Sequence, residues 1–432
     1  MSATRAVVIT AIGSGLPPAA MLVTQMMLAK SLGVSGRGEV AAATAPLMFT
    51  VALLTLGLPE ALTHVVARAT GDRFIRQLVI SLTALAFSGA IGIALIAILA
   101  QWLSAGSSQV SKLMIMASAA LVPALWTAAL RGVAFGAHGW WLVTAERTLS
   151  ALIQLGAVGG LYISGSLTPK TATLAIAATS FVGAIIYLVA PQWWRLLRSP
   201  KNHLAPARSS SYFISYAWRI WLGSTAAIVL SRLDQVMMTP LAGVDELAIY
   251  VVAVSVSSAA LLFNSSVLPV VFTLESGETS ATRVGRAARI STLVTALVGV
   301  SIGAASIWAI PILFGQEFSP AVPVVLILLF GMVVSNPGSV AGVSLSASGR
   351  PGLRSISLAI AALVNVVTIL SLVPKYGALG AAVATCLGSI VSASLIIYWI
   401  RKYCDVPTSE FYGFRATDVT FVKQLLRLSR NK

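Results

Sequence analysis

Apolar residues run along this chain in blocks of twenty or more, broken at regular intervals by short polar stretches. A helix needs about 20 apolar residues to cross the hydrocarbon core of a bilayer, and twelve blocks meet that length. They lie near 7–32, 39–62, 75–102, 112–135, 142–164 and 171–194, then near 213–241, 248–273, 288–314, 321–345, 353–374 and 377–400. In lipid, backbone polar groups must be satisfied inside each segment, so the pattern predicts an all-α membrane protein of twelve transmembrane helices. The first block is longer than a signal-peptide core and no small-residue cleavage site follows it, so it reads as the first span.

Composition agrees with that pattern and removes other classes. The 432 residues are 57% hydrophobic and 10% charged, with a mean hydropathy of +0.90, whereas a soluble domain carries about a quarter charged residues. A soluble enzyme and a nucleic-acid binder are both excluded, despite a formal charge of +16. Topology accounts for the cations instead. With both termini cytoplasmic, 22 of the 29 Lys and Arg fall on the inner side, five (Lys30, Arg37, Lys112, Lys170, Lys375) fall outside, and Arg219 and Arg232 fall within the seventh span. The positive-inside rule then sets the orientation in the cytoplasmic membrane. No exoplasmic connection is long enough to form a domain, and the outer acids Glu39, Asp245, Glu246 and Glu317 are thinly spread. That argues against a membrane-embedded transferase. Cys386 and Cys404 make no disulfide framework. His64, His138 and His203 are scattered, so neither a metal nor another cofactor is predicted, and the chain does not read as an enzyme.

The two halves echo each other at an offset near 210. Gly33-Val34, Gly38 and Ala43 align with Gly243-Val244, Ala248 and Ala253, each set between the first and second span of its half. Gly136 to Gly139 align with Gly349 to Gly352, and Ala175, Ala178 and Thr179 with Ala381, Ala384 and Thr385. Both halves start inside, so the repeat is a parallel one, related by a pseudo-two-fold along the membrane normal. The predicted organisation is a six-helix lobe over 1–194, a basic linker over 195–212, a second six-helix lobe over 213–400 and a basic tail over 401–432. Two lobes rocking about a central cavity are the architecture of alternating access. A channel is disfavoured because the chain holds no filter-like sequence.

Four pieces of sequence carry a family resemblance, in order along nearly the whole chain. The first is the turn Ser31-Leu32-Gly33-Val34-Ser35-Gly36-Arg37-Gly38-Glu39-Val40, and the second is Arg232-Leu233-Asp234-Gln235-Val236 leading through Gly243 to Tyr250 and Ala253. The third is Phe314-Gly315-Gln316-Glu317-Phe318 with Ala321. The last is Gly349-Arg350-Pro351, Asn365 and the run Pro374-Lys375-Tyr376-Gly377-Ala378-Leu379-Gly380-Ala381-Ala382. Together they resemble the polysaccharide branch, with its O-antigen-type flippases, of the multidrug/oligosaccharidyl-lipid/polysaccharide exporter superfamily. Ala248 stands where that branch usually has glycine. The resemblance implies flipping of a lipid-linked saccharide, of the undecaprenyl-pyrophosphate type, across the cytoplasmic membrane. It also implies a hydrophilic, often cationic cavity between lobes, lipid tails that stay in the bilayer, and a monomer working beside cell-envelope glycosyltransferases. A drug exporter of the same fold is the nearest alternative. Its cationic substrates would call for carboxylates in the cavity, and those are scarce here.

Ionisable groups inside a span cost about 2.5–3.5 kcal/mol each on insertion scales, so each needs a reason. On a regular helix Arg232 and Asp234 diverge by about 200°, whereas Arg219 and Asp234 lie within about 60° of one face. Arg232 and Arg219 are candidate cavity residues because a guanidinium binds phosphate oxygens in pairs and keeps its charge. The alternatives are snorkelling to the interface for Arg219 and a structural ion pair for Arg232. Asp234 fits either ion coupling, to proton or sodium, or neutralisation of a neighbour. Gln25 is a candidate because the first span faces the seventh in this architecture. Asn264, Asn336 and Asn365 fit interhelical hydrogen bonding better than cargo contact. Glu60, His64 and Arg68 share one helical face, as a gate pair or a solvated helix end. Prolines bend membrane helices, and Pro17-Pro18, at mid-span in the first helix, is the candidate hinge. From Thr417 to Arg430, Val419, Val422, Leu425 and Leu426 recur at helical spacing opposite Lys423, Arg427 and Arg430, which predicts a cationic helix on the inner leaflet.

Overall fold

The computed structural model describes residues 3–66, 72–190, 210–274, 280–348, 350–404 and 406–413, helical almost throughout. Helix α1 (Ala3–Leu53) holds the first span and most of the second, which α2 (Leu58–Val66) completes across a 45° bend. Helix α3 (Asp72–Leu103) is the third span. The fourth is α4 (Ser108–Ser118) and α5 (Leu121–Gly136), bent by 40°, and the fifth is α6 (Trp140–Ile163). Next come α7 (Pro169–Val182) with α8 (Ile185–Val189), α9 (Ser210–Ala242), α10 (Val244–Leu274), α11 (Ser280–Leu313) and α12 (Ala321–Ala347). Helix α13 (Pro351–Cys404) joins the last two spans. Helical backbone angles fail inside α1 only at Gly33 and inside α13 only at Gly377. Divided there, and with the broken spans rejoined, the described helices number twelve, and no strand occurs among the described residues. The predicted helix at 417–430 lies outside the described residues.

Local sequence explains where these helices start. The Thr168 side chain accepts from the Thr171 N–H at 3.2 Å and Thr171 Oγ1 accepts from the Thr168 N–H at 2.9 Å, with Pro169 at the first helical position of α7. This reciprocal cap satisfies two backbone donors the helix leaves open. Ser107 caps α4 from one side only, its Oγ accepting from the Val110 N–H.

Burial is inverted relative to a water-soluble protein. Phe87, Ile98, Ile163, Trp308, Ile312 and Leu363 are each more than 60% exposed, and such patches on a water-soluble monomer would drive association. On apolar helices of 21 to 30 residues, such as Ile75–Leu103, Pro169–Val189 and Val284–Leu313, they are the surface that meets lipid.

Two compact units form, one from Met1–Val252 with Pro311–Phe318, the other from Ala253–Ile310 with Ser319–Lys432. The first has a core of Leu47, Leu62, Leu85, Leu121, Leu125 and Tyr187, which also takes in Phe213 and Ala217 of α9. The second packs Val284, Ile290, Val340, Leu345, Ile397 and Phe411 together.

The internal repeat is visible in backbone geometry. Among the described residues eight glycines have positive φ, and six of them pair across the halves: Gly33 with Gly243, Gly106 with Gly315, and Gly165 with Gly377. The offsets are 210, 209 and 212. Each pair sits at the same turn, first-to-second, third-to-fourth or fifth-to-sixth span of its half. Side chains with a Cβ enter this left-handed region only at a cost, so glycine marks the turn in sequence and in space.

Candidate functional site

Two helical hairpins of the first unit each bury one ionisable side chain. At Gly33 (φ 65°) α1 folds back on itself, and this carries Arg37 into the unit, where it is 3% exposed. Its Nη2 donates to Oε1 of Gln25, twelve residues earlier on the other limb, while its buried Nε finds no hydrogen-bond partner among the described residues. The second limb is held close to α10. A Cβ at position 38 would lie 2.2 Å from the Val244 carbonyl oxygen, so only glycine fits there.

The second hairpin joins α9 to α10 through Gly243 (φ 92°). Asp234 on α9 is 3% exposed, and its Oδ2 accepts from the hydroxyl of Tyr250 on α10, itself fully buried. Its Oδ1 accepts from the main-chain N–H of Gln235 at 2.7 Å. A charged acceptor taken out of water is tolerated only with such donors.

A third polar cluster links α5 to α6. Arg131 Nε donates to Glu146 Oε2 and Nη2 to Oε1, both at 2.9 Å, in the two-pronged geometry that suits guanidinium and carboxylate. Glu146 is 2% exposed, and the fully buried Tyr187 of α8 interacts electrostatically with both members of the pair.

Of the residues proposed from sequence for the cavity, Asp234 and Gln25 are engaged in these pairs. Arg232 is exposed on α9 while Asp234 is buried, the divergence the helical wheel requires. The side chain of Arg219 lies outside the described residues. Pro17 and Pro18 lie inside α1, whose backbone angles stay helical there. Asn336 donates to Ser291 Oγ at 2.9 Å and Thr292 Oγ1 at 3.0 Å, an interhelical bond of the predicted kind, whereas the buried Asn365 side chain finds no partner among the described residues. Glu60 is exposed and His64 half-buried; Arg68 lies outside the described residues. No group of three His, Cys, Asp or Glu among the described residues is placed to hold a metal ion.

Sequence reasoning missed Arg37 and Glu146. Arg37 sits next to a turn and counts as a loop cation. Its signal was the neighbouring Gly33, Gly36 and Gly38, which let two helices close around it. Glu146 stands fifteen residues after Arg131 on the next span, with nothing in its spacing to mark the pair.

The chain is similar to several known proteins. An uncharacterised membrane protein of Methanocaldococcus jannaschii is 26% identical over 199 residues, which is 44% of this chain and 39% of that protein. The probable low-salt glycan biosynthesis flippase Agl15 of Haloferax volcanii is 30% identical over 95 residues, 22% of this chain and 20% of its own. The chain thus spans about two fifths and one fifth of the lengths of these curated relatives. Among solved structures, the lipid II flippase MurJ in an inward closed conformation superposes with a TM-score of 0.76 at 14% identity, covering 94% of this chain and 89% of that one. An inward-facing multidrug resistance MATE family transporter of the MOP superfamily gives 0.65 at 14% identity, covering 91% and 98%. At that identity the likeness concerns the fold. The family described as polysaccharide biosynthesis protein matches residues 3–273, well over half of the sequence, and the chain belongs to that family.

Proposed function

We propose that this protein flips a lipid-linked saccharide across the cytoplasmic membrane by alternating access. The observation that carries the reading is the family match over residues 3–273 in a chain that shares its fold with a lipid II flippase. The relative named as a probable glycan biosynthesis flippase supports the same class of cargo. Physically, the task is to move hydroxyls and phosphates past hydrocarbon, where each unpaired polar group costs several kcal/mol, while the lipid anchor stays in the bilayer. A protein doing this needs fixed polar and cationic side chains within its spans. We assign Arg232, exposed on α9, to the cargo's pyrophosphate, with Arg219 as a second cation. Gln25 and Asp234 hold the hairpins from which that path is built, Asp234 being also the candidate for coupling to proton or sodium, and Pro17-Pro18 is the candidate hinge. The protein works as a monomer beside glycosyltransferases, with both termini cytoplasmic.

The test is reconstitution of the full chain in vesicles with a fluorescent polyprenyl-pyrophosphate-linked oligosaccharide. Transfer between leaflets should exceed that of protein-free vesicles. Arg232→Ala should slow it at least tenfold at equal protein level, and Arg232→Lys should recover little. Transfer no faster than in protein-free vesicles, with uptake of a cationic drug instead, would replace this reading by that of a drug exporter. For topology, cysteines placed at Ser108 and Ser166 should react with an impermeant reagent in intact cells, and cysteines at Ser209 and Ser280 should not.

A further inference from the structure

Helix α9 carries two aromatic rings that the polar pairs above do not use. Trp218 is 51% exposed, and its ring leans on that of Trp221, with centroids 4.7 Å apart and planes inclined by 33°. Trp221 is anchored in turn, its Nε1 donating to the Leu53 carbonyl oxygen of α1 at 2.6 Å. The backbone beneath is held as firmly. A Cβ at Gly57, in the bend between α1 and α2, would lie 2.2 Å from the Ala217 carbonyl oxygen and 3.1 Å from the Trp221 nitrogen. One ring is therefore braced by another, with half of its surface left open.

An exposed tryptophan near the end of a span ordinarily belongs to the aromatic belt at the lipid–water boundary. Arg232 decides against that here. On a helix turning about 100° per residue, Trp218, Trp221, Thr225 and Arg232 fall within about 60° of one another. Arg232 is exposed, about 21 Å along the axis from Trp218, and pairs with no carboxylate among the described residues. A guanidinium that deep in a span is not presented to hydrocarbon; it faces water or the bundle interior. Being exposed, Arg232 faces water, and so does the open ring on the same side of the helix. Farther along, that side closes, with Val236 9% and Thr239 2% exposed. Water thus reaches this face from the Trp218 end and stops just past Arg232.

The lining selects the occupant. Asp234 is the only acid in α9, and it is buried on the other side of the helix. A cationic ligand on the open face would meet the charge of Arg232 with no carboxylate to offset it. A pyranose suits the ring better. Its axial C–H bonds form a weakly apolar, electropositive face that matches the electron-rich face of an indole, while its hydroxyls stay at the rim in water. We propose that Trp218, braced by Trp221, is the platform on which a sugar ring of the cargo stacks while the pyrophosphate meets Arg232. The proposal rests on the reading of the protein as a carrier of lipid-linked saccharide and gives the saccharide its own subsite. Every pyranose has such a face, so the platform does not depend on which sugar is carried.

The test measures binding of two probes to the full chain in nanodiscs, undecaprenyl pyrophosphate carrying chitobiose and undecaprenyl pyrophosphate with no sugar. Trp218→Ala should weaken the first at least fivefold and the second less than twofold, and Trp218→Phe, which keeps a ring, should recover most of the loss. Trp218→Leu keeps apolar bulk against Trp221 without an aromatic face and should lose as much as Trp218→Ala. Arg232→Ala should weaken both probes. Trp102→Ala, at a 53% exposed tryptophan one turn from Ile98 on the lipid-facing side of α3, should change neither. Equal weakening of both probes by Trp218→Ala, or the same loss in Trp102→Ala, would overturn the proposal in favour of a tryptophan that only anchors the span at the bilayer boundary. Retained binding in Trp218→Leu would overturn it in favour of plain apolar packing. Binding of tetraphenylphosphonium that is lost in Trp218→Ala would overturn it in favour of a cation site, and an unaltered protein that does not prefer the sugar-bearing probe would leave no platform at all. Binding requires no transport. A protein that flips the sugar-bearing lipid and binds it equally well in Trp218→Ala refutes the platform alone, and one that binds it through Trp218 without moving it between leaflets refutes the transport reading alone.

Discussion

The Gly33 hairpin and the Gly243 hairpin are the same structure built twice, 210 residues apart, and they differ in the charge they bury. Each turns through a left-handed glycine, and each bridges its limbs with one polar pair. Gln25 aligns with Gln235 and Thr24 with Asp234, so the bridging residues occupy adjacent registers of the duplicated helix. In the first hairpin the ionisable member is the cation Arg37, held by a neutral amide. In the second it is the anion Asp234, held by a neutral phenol. The backbone device repeats and the sign of the charge does not. A left-handed turn depends on the backbone freedom that glycine alone supplies cheaply. The bridge is side-chain chemistry, and any donor–acceptor match of the right reach satisfies it. The hairpins differ in packing too. Gly38 must be glycine because Val244 leaves no room, whereas its counterpart Ala248 is buried with its Cβ accommodated.

This comparison can be broken at several points. The largest effect is expected from Gln25→Leu, which leaves a buried guanidinium donor without its acceptor and should cost about 3 kcal/mol. Gln25→Leu combined with Arg37→Met removes the charge as well and should recover most of the loss in thermal melts of the detergent-solubilised protein. A double variant no more stable than the single one would mean that the pair does not act as a unit. Gly38→Ala should follow, at about 2 kcal/mol from overpacking against Val244, while Ala248→Gly should change stability by about 1 kcal/mol or less. Similar shifts for both would show that the hairpins tolerate the same packing. Tyr250→Phe withdraws one neutral donor from a carboxylate that keeps the Gln235 N–H, and about 1.5 kcal/mol is expected. The smallest and most symmetrical effect belongs to Gly33→Ala and Gly243→Ala, each about 1 kcal/mol for placing a Cβ in the left-handed region. Unequal melts for these two would set the backbone equivalence aside.

Much of this molecule was legible before any coordinates. Twelve apolar blocks became twelve helices because lipid imposes one length and one hydrogen-bonding solution on every span. The Gly33–Gly243 alignment was readable as well, since a left-handed turn has a near-unique residue. Arg37 was not. By position it is a loop cation, and it becomes a buried bridge only because the chain reverses at Gly33 and α10, two hundred residues later, closes over Gly38. Glu146 was hidden for the same reason. Its pairing with Arg131 depends on how α5 and α6 pack, which no spacing along one helix records. Tyr250 stood in a quoted motif, yet nothing in the motif said that its hydroxyl closes on Asp234.

The sequence by itself determined that this is a helical membrane protein of duplicated halves, because span length, cation placement and turn glycines answer to the bilayer and to single-residue backbone preference. Only the tertiary structure decided which polar side chains are satisfied within the protein and where Arg37 and Asp234 find their partners. Those outcomes depend on distances between segments far apart in the chain. They follow from packing, where the absence of one Cβ at Gly38, against the Val244 carbonyl, or at Gly132, against the Pro59 carbonyl, sets how closely two helices approach.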